Sequence, residues 1–385
     1  MFTALTTRLE MDIDAIRRAI DVHEHSRALF YSPNAVAGAE LGPRLDPWEA
    51  VRRRDPGKLE WQIYDYCAAI TRVYVIYSVF VDDLISEYLR LLPSLYERYE
   101  HLPPAVQKQH RIGVAQILQK LGDSGPYENI REGELVSIIA SAVSGEGPYT
   151  LFERAFFVDS YRQNYRLEVL VRLFRSVGVD NIGARLASHC DMVRFVKDVR
   201  DDATTVEAEL KNLVELRNAA AHSEVEDVIA GEDLHKLADF ILVLGKILAE
   251  LLCAELSYRK YVLGQLLDLG SVTETHYGGF VAIIKAKPQS FARGTQVAVI
   301  GRTGATLTRV ETIMRNDVEV ESVCPSEGEE VGLRLNRKCW PGDALALIPP
   351  PPERELVEAG PPAEGSEELD PQAATGPPAD HQLDN

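Results

Sequence analysis

The sequence predicts a mainly α-helical protein: a helical bundle, then a small antiparallel β-barrel, then a disordered tail. Up to about residue 263, apolar residues recur every three or four positions, which is the period of an amphipathic helix. From Gly270 onward, apolar and polar residues alternate between glycine-rich turns, which is typical of short strands. Pro349 begins a proline-rich, acidic segment with few large apolar residues, a composition typical of disorder. We therefore expect three parts, at residues 1–265, 268–349 and 350–385.

Eight helices are expected in the first part, each from its own run of apolar residues at helical spacing. A stripe from Phe2 to Ile20 predicts the first helix, and residues 33–57, rich in proline, glycine and alanine, are expected to form a connection. The segment 58–99 is expected to form the longest helix and is apolar on nearly every face between Cys67 and Leu92, so we expect it to be buried centrally or at a subunit contact. The remaining helices are expected at 105–121, 133–143, 151–177, 181–200, 206–221 and 234–263.

The second part contains six candidate strands, at 281–285, 296–301, 306–313, 318–322, 331–335 and 344–348. Each is short, and glycine-rich turns separate them. Strands at this spacing favour a small barrel.

The net charge of −18 argues against a protein that binds nucleic acid over a large surface. The tail from Pro349 holds nine acidic residues and one arginine, which leaves a net charge of −10 on residues 1–348. Because this body is still acidic, any RNA binding must be local. A transient nuclease needs less phosphate neutralisation than a stable binder does.

The five cysteines lie far apart and form no C-x-x-C pair, which excludes a disulfide framework and a zinc-binding pattern. His23-x-His25 and His189-Cys190-Asp191 are interpreted as incidental, so we expect no metal and no cofactor. Charged residues interrupt the first helix, so it is not a signal peptide. No apolar run is long enough to cross a bilayer, and we expect a soluble, cytoplasmic protein without a membrane partner.

The most informative stretch is Leu216-Arg-Asn-Ala-Ala-Ala-His222, near the end of the helix expected at 206–221. The apolar stripe of that helix continues to Arg217, so an arginine stands where a core residue is expected. An isolated buried charge is costly, so Arg217 must be paired or face a partner. Asn218 and His222 are four residues apart and share a face. Arg217 and His222 are about 140° apart, so a single phosphate can meet both only if the helix ends near His222 or a second copy completes the site.

These residue types suit RNA cleavage by the RNA's own 2′-hydroxyl. That reaction needs a base, an acid and positive charge on the phosphorane. A histidine can serve as base or acid near neutral pH, and a guanidinium stays charged and matches phosphate oxygens. One motif supplies only one imidazole, which favours two copies meeting across a twofold axis.

The Arg217-Asn218-x-x-x-His222 pattern on a late helix of an all-helical domain resembles the HEPN superfamily. The stretch from Asn164 to Asp180 is similar to an Asn-led helix ending in glycine that one bacterial branch of the superfamily carries. The residues around Ile76 to Phe80 are similar to the same branch, but Val81 stands where an acidic residue is expected, and Asp82 and Asp83 follow. The resemblance implies metal-independent RNA cleavage by a homodimer whose paired motifs form one cleft. It leaves the acidic helper unassigned.

The barrel segment resembles the second domain of translational GTPases such as elongation factor Tu, over about 80 residues. The order of features carries the resemblance; they are Gly270-Ser-Val, Phe291-Ala-Arg-Gly294, Val310-Glu-Thr-Ile313, Gly328-Glu-Glu-Val-Gly-Leu333 and Pro341-Gly-Asp-Ala-Leu345. The chain has no G-x-x-x-x-G-K-[ST] motif, so GTP hydrolysis is not implied. The resemblance implies a module that contacts tRNA or the ribosome.

Two other groups of arginines are candidates for RNA contact. Arg162 and Arg166 are four residues apart and would share a face of the helix expected at 151–177; the alternative is ordinary surface charge. Arg52-Arg53-Arg54 is interpreted as a solvated loop.

We therefore expect a metal-independent RNA endonuclease of the toxin or phage-defence type, acting on tRNA or another translation-related RNA. Arg217 would bind the scissile phosphate, His222 would transfer protons, and Asn218 would orient either one. The alternatives are a non-catalytic HEPN scaffold or sensor, with the barrel as the binding module, and a toxin-neutralising partner. An antitoxin or another defence protein would be the partner of the enzyme. The acidic tail is expected mainly to aid solubility, and a second hypothesis is that it competes with RNA for the cleft.

Overall fold

The computed structural model describes residues 1–32, 53–121, 127–145, 147–158, 163–199, 204–222, 230–302 and 304–349. Three of the sequence expectations fall wholly or largely outside these ranges: the connection at 33–57, the candidate contact residue Arg162, and the tail 350–385. No helix in the described ranges is long and apolar enough to cross a membrane.

The predicted fold class is confirmed: helices come first and an antiparallel barrel follows. Within the described part of the chain there are nine α-helices: α1 (Thr3–Phe30), α2 (Lys58–Leu95), α3 (Pro104–Lys120), α4 (Glu132–Ser144), α5 (Leu167–Ser176), α6 (Ile182–Ser188), α7 (Cys190–Val199), α8 (Val206–His222) and α9 (Gly231–Val262). Short 3₁₀ turns lie at Tyr99–His101, Glu153–Phe156 and Tyr277–Gly279.

Helix α2 lies at the centre of the bundle, which is one of the two positions that its apolar composition predicts. It packs against α1, α8 and α9, and fourteen of its side chains are buried. Full burial of each large apolar side chain contributes about 1.5–3 kcal/mol. The predicted inner stripe of α9, which runs from Leu237 to Leu252, is also buried. A Cβ on Gly245 of this helix would lie 2.3 Å from Leu9 Cδ2, so glycine there permits the close approach of α1.

The single helix expected at 151–177 is wrong. The structure has a 3₁₀ turn at Glu153–Phe156, and the α-helix begins only at Leu167. Tertiary contacts override the local period here. The backbone N–H of Phe152 donates to Nε2 of buried His110, and a Cβ on Gly113 would meet the Ala155 carbonyl oxygen at 1.9 Å. The turn is therefore pressed against α3, and residues 151–156 cannot continue as a helix.

This correction changes the interpretation of the two arginines expected to share a helix face. Arg166 is the N-cap of α5, with φ −74° and ψ 165°, so it precedes the helix. The helix expected at 181–200 is likewise divided into α6 and α7. His189, which lies between them, has an extended backbone with φ −67° and ψ 130°.

The barrel contains β1 (Leu267–His276), β2 (Val281–Ala286), β3 (Phe291–Ala292), β4 (Gln296–Gly301), β5 (Gly304–Arg315), β6 (Val318–Val320), β7 (Ser322–Val323), β8 (Glu330–Leu335) and β9 (Ala344–Leu347). Neighbouring strands follow the order β4-β9-β1-β2-β8-β5, and the β4–β5 pairing closes the circle. All of these pairings are antiparallel. Strand β6 extends β5, and β3 pairs with β7 in a separate ribbon.

Strand β1 is the longest element of the barrel that the sequence patterns do not predict; the two-residue strand β3 also lies outside the candidate strands. Gly270 interrupts its alternation, and the register shifts between Asp268 and Gly270 on the β9 side. Gly270 has φ +126°, and a Cβ there would lie 2.1 Å from the Lys285 carbonyl oxygen. Glycine is therefore required at this bulge by close backbone approach.

The barrel packs on the last helix of the bundle. Ala254 of α9 joins a small apolar cluster with residues of β4, β5 and β9. Beyond β8, the Arg337 guanidinium contacts Cys190 Sγ, lies 3.4 Å from Asp191 and lies 3.2 Å from Glu250. Apolar packing and a cluster of ionic contacts therefore both join the barrel to the helices.

Candidate functional site

The candidate site lies at the C-terminal half of α8. The first half of this helix buries Val206, Leu210, Leu213 and Val214, and it packs against α2. Beyond these residues the stripe becomes only partly buried, and the last two residues of the helix are exposed. The packing of the first half thus fixes the helix, while its end stays open to solvent.

Arg217 is partly buried, and its charge faces an aromatic ring. The guanidinium carbon lies 5.3 Å from the centre of the Tyr74 ring on α2, a cation–π contact that contributes about 0.5–2 kcal/mol. Nη1 donates to the Asn218 side-chain oxygen at 3.1 Å. No carboxylate among the described residues forms an ion pair with Arg217. Within the described ranges, the arginine is thus held in place by an aromatic ring and an amide and not by a carboxylate.

Asn218 joins the motif to a second segment of the chain. Its side-chain oxygen also accepts a hydrogen bond from Asn164 Nδ2 at 3.4 Å. Asn164 opens the stretch whose resemblance to HEPN proteins is independent of the Arg-Asn-x-x-x-His pattern. The fold therefore brings the two stretches together at one amide.

A network of hydroxyl groups supports the Tyr74 ring. The backbone N–H of Tyr165 donates to the Tyr74 hydroxyl at 3.2 Å, and the Tyr77 hydroxyl donates to the Tyr165 carbonyl at 3.0 Å. The Tyr165 hydroxyl donates to Asp82 Oδ1. Burial raises the pKa of Asp82 to about 6, and nearby Asp83 adds to the rise, while the Tyr165 hydrogen bond opposes it. Asp82 is thus a carboxyl that can change protonation state near neutral pH, connected to Arg217 through two tyrosines.

His222 is the last residue of α8, and its side chain is exposed. None of the other described residues forms a hydrogen bond with its ring. Arg217 is partly buried and His222 is exposed, as expected from their different positions around the helix. One copy of the helix thus presents an anchored cation and an accessible imidazole.

The other candidates for RNA contact are less well defined. Arg166 is exposed and directly follows Tyr165, so it lies beside the network that supports Tyr74. Arg162, its expected companion, lies outside the described residues. The pairing of these two arginines on one helix face is therefore not retained.

The two histidine groups interpreted from the sequence as incidental are engaged in contacts within the protein. His23 Nδ1 lies 2.6 Å from Asp65 Oδ1, and His25 Nδ1 lies 2.7 Å from a backbone carbonyl oxygen. The possible ligand atoms of His189, Cys190 and Asp191 lie within 4.8 Å of one another. The Arg337 guanidinium contacts both Cys190 and Asp191, so a cation from the protein itself already occupies this cluster.

Sequence patterns did not identify Tyr74, Tyr165 or Asp82 as parts of the site. Tyr74 lies in an almost wholly apolar helix, where an aromatic residue is expected to be core. Asp82 and Asp83 were noted as acidic, but nothing in the sequence shows that Asp82 meets Tyr165, because the two are far apart in the chain. Long-range contacts alone reveal their connection to Arg217.

A helical bundle that carries Arg-Asn-x-x-x-His on a late helix has the features of a HEPN domain. The model of the RiboL-PSP-HEPN family matches residues 56–254, which is just over half of the chain. The protein therefore belongs to the RiboL-PSP-HEPN family, within the HEPN superfamily. The matched range includes α2, which carries Tyr74 and Asp82, and α8, which carries the motif.

Other comparisons add little. A search of the curated proteins gives no match. Among solved structures, the chain is similar to the C-terminal domain of a putative U32 peptidase from Geobacillus thermoleovorans and to its selenomethionine variant. Each match has 17% identity, covers 21% of this chain and has a TM-score of 0.19. The match covers 91% of the domain and 98% of its selenomethionine variant. This TM-score is too low to carry an inference.

Proposed function

We propose that this protein is a metal-independent RNA endonuclease whose site is formed by Arg217, Asn218 and His222. The observation that carries the proposal is the state of Arg217: the guanidinium is oriented by Tyr74 and Asn218, yet no described carboxylate neutralises it. A fixed, unneutralised guanidinium near the exposed end of its helix suits a phosphate. Membership of a HEPN family favours an RNA-related role.

The chemistry proposed is transesterification within the RNA. The 2′-oxygen attacks the adjacent phosphorus, an imidazole accepts the 2′-hydroxyl proton, and the bond to the 5′-oxygen breaks. A second imidazole donates a proton to that leaving oxygen, so the products are a 2′,3′-cyclic phosphate and a 5′-hydroxyl. Arg217 stabilises the negative charge on the phosphorane, and Asn218 keeps the guanidinium oriented. The nucleophile in this scheme is the RNA 2′-oxygen, so the proposed steps use neither a water nucleophile nor a metal ion.

A second copy of the chain completes the proposed site. Each α8 carries one His222, and the reaction uses one base and one acid. Because His222 is exposed at a helix end, a twofold axis can bring two motifs to one phosphate. The proposed setting is the cytoplasm, in a toxin or phage-defence system, with tRNA or another translation-related RNA as substrate.

The test is incubation of purified protein with total RNA in EDTA, followed by analysis of the fragment ends. We expect fragments with 2′,3′-cyclic phosphate ends from the wild-type protein and none from His222→Ala. The matched control is His101→Ala, which removes an exposed histidine paired with Glu100 elsewhere on the bundle and should cleave normally. If the RNA stays intact with the wild-type protein and with His101→Ala, the endonuclease proposal is contradicted, and a binding or toxin-neutralising role is favoured.

A further inference from the structure

Three large aromatic side chains are exposed at one end of the barrel. Tyr277 is 85% exposed, Trp340 is 62% exposed and Phe280 is 39% exposed. Single exposed apolar residues are normal on a protein surface, but the side chains of Tyr and Trp are enriched at interaction sites because each combines an apolar ring with a polar group. These three residues lie far from α8 in the chain and play no part in the proposed cleavage.

A backbone hydrogen bond brings the two loops that carry these rings together. The Cys339 N–H donates to the Gly279 carbonyl at 2.9 Å. A Cβ on Gly279 would lie 3.3 Å from Lys338 Cβ, so the loops touch. Phe280 directly follows Gly279, and Trp340 directly follows Cys339. The rings therefore project from positions next to a single point of contact between loops.

Contacts of the backbone fix the two loops that carry these rings. Tyr277 has φ +51°, in the left-handed region that non-glycine residues rarely adopt, and Gly278 and Gly279 also have positive φ. The Phe280 carbonyl accepts from Leu335 N at 2.8 Å, and Trp340 N donates to Asp343 Oδ2 at 2.8 Å. Strained backbone of this kind persists where surrounding contacts impose it and is common at ligand-binding sites. The backbone of both loops is therefore ordered before any partner binds, which lowers the entropic cost of binding.

A lysine places positive charge beside one ring. Lys338 Nζ lies 5.6 Å from the centre of the Phe280 ring, and in the described part of the chain it forms no ion pair with a carboxylate. No ring contact joins Tyr277, Phe280 and Trp340 to one another among the described residues. The rings are thus separate flat surfaces, one of which lies beside a cation that has no carboxylate partner among the described residues.

We propose that Tyr277, Phe280 and Trp340 bind single-stranded RNA by stacking on unpaired bases, with Lys338 on a neighbouring phosphate. Separate exposed rings beside a cation suit unpaired bases joined by phosphates, whereas a protein hot spot is a packed and continuous apolar core. The acidic body of the protein cannot neutralise many phosphates, so stacking supplies most of the affinity. The RNA partner rests on the proposed function, and this surface would bind the substrate through residues that take no part in the proposed cleavage.

The test uses the full chain carrying His222→Ala, so that RNA is bound but not cut. The probe is a fluorescein-labelled twelve-nucleotide oligouridylate, and the dissociation constant is measured by anisotropy. We expect Trp340→Leu and Tyr277→Leu each to weaken binding roughly 5- to 100-fold, the range for loss of one stacked base. The matched control is Tyr64→Leu, which removes a tyrosine that is 72% exposed on α2 and should not change binding.

Two further probes separate stacking from charge. An abasic strand of the same length, which keeps the phosphates and lacks the bases, should bind at least tenfold more weakly than oligouridylate. Lys338→Ala should reduce the slope of log affinity against log salt by about one. Equal binding of the two strands, or unchanged binding by Trp340→Leu and Tyr277→Leu, would overturn the proposal. A protein partner lost with Trp340→Leu while oligouridylate still binds would also overturn it.

The outcome is independent of cleavage. If the wild-type protein does not cut RNA but the barrel variants lose oligouridylate binding, the endonuclease proposal fails and the stacking surface remains. If RNA is cut normally by Trp340→Leu and Tyr277→Leu with unchanged binding, the stacking surface fails and the endonuclease remains. Thermal melting of each variant identifies any that fails to fold.

Discussion

Two histidines of the helical bundle differ in burial and in the hydrogen bonds that their rings form. His110 on α3 is fully buried: its Nε2 accepts the Phe152 N–H at 3.0 Å, and its Nδ1 lies 3.2 Å from the Tyr99 hydroxyl. Burial lowers its pKa to about 4. His222 is exposed at the end of α8, and no other described residue forms a hydrogen bond with its ring. Both ring nitrogens of His110 contact other groups of the fold, whereas neither ring nitrogen of His222 has a hydrogen-bond partner among the described residues.

The difference shows why a histidine alone indicates little about function. A satisfied, buried imidazole stabilises the native state and is neutral at physiological pH. An exposed imidazole without a hydrogen-bond partner in the described part of the chain, on the same helix as an anchored guanidinium, is the one that we propose exchanges protons with a substrate. Substitutions at the two positions should therefore separate stability from activity.

The largest effect is expected for His222→Ala. Removing a general acid–base group costs on the order of 10²–10⁴-fold in rate, while an exposed side chain contributes little to folding. Cleavage should therefore be lost with an unchanged thermal midpoint, measured on the same preparation. A drop in the midpoint that accounts for the lost activity would assign His222 to stability, like His110.

Arg217→Ala should come next, with a loss of about 10²–10³-fold in kcat/KM, the range for removal of one group that stabilises transition-state charge. Arg217→Lys keeps the charge but lacks the planar fork, so it should recover only part of the rate. Full activity in Arg217→Ala would show that Arg217 is not part of the catalytic site and only packs against Tyr74.

The buried histidine should make stability depend on pH. The pKa of His110 is about 4 in the folded state and about 6.5 in the unfolded chain. Its contribution is therefore present above pH 6.5 and lost as the pH falls from about 6.5 to about 4, by about 3 kcal/mol in total. Urea unfolding at pH 7.5 and 4.5 measures this, and His110→Gln, which cannot titrate, should show a smaller change. An identical change in both proteins would contradict the assignment.

Asp82 should act with the opposite sign. Because its folded pKa is raised to about 6, its carboxylate destabilises the protein at neutral pH, and stability rises as the pH falls through 6 towards about 4. Asp82→Asn should therefore raise the free energy of unfolding by about 1–3 kcal/mol at pH 7.5 and by much less at pH 4. A loss of stability at pH 7.5 would show that the ionised form is favoured by contacts with Tyr165.

The smallest effect is expected at Tyr74, which positions Arg217 and does not contact the substrate. Tyr74→Leu removes the ring and should slow cleavage by roughly 3- to 30-fold, equivalent to the cation–π contact. Tyr74→Phe keeps the ring and should retain most of the rate. If the two variants lose activity equally, the hydroxyl bonded to Tyr165 matters more than the ring.

The sequence predicts the helices and strands whose buried faces follow directly from the spacing of their apolar residues. The central position of α2, the inner stripe of α9 and most strands of the barrel follow from apolar spacing alone. The division of 151–177 does not, because it depends on the contact of Phe152 with His110, which is 42 residues away. Strand β1 was missed because Gly270, required at a bulge, interrupts its alternation.

The candidate site shows the same limit. Arg217 stands out in sequence because a charge replaces an apolar residue on a buried stripe, and His222 and Asn218 follow from the motif. The ring that holds Arg217 and the carboxyl behind it come from another helix, where their types match an ordinary core. Local spacing thus identifies the groups proposed to do chemistry, whereas only tertiary structure identifies the groups that orient them.

The most direct test of the central claim changes the RNA rather than the protein. Once the cleavage position is mapped, the 2′-hydroxyl of the nucleotide on its 5′ side is replaced by hydrogen, and the oligonucleotide is incubated with wild-type protein in EDTA. We expect no cleavage at that position. We also expect the deoxy-substituted strand to bind the wild-type protein as tightly as the unmodified strand binds His222→Ala. Cleavage of the deoxy-substituted strand at the same position would contradict the account, because the nucleophile would then be something other than the RNA itself.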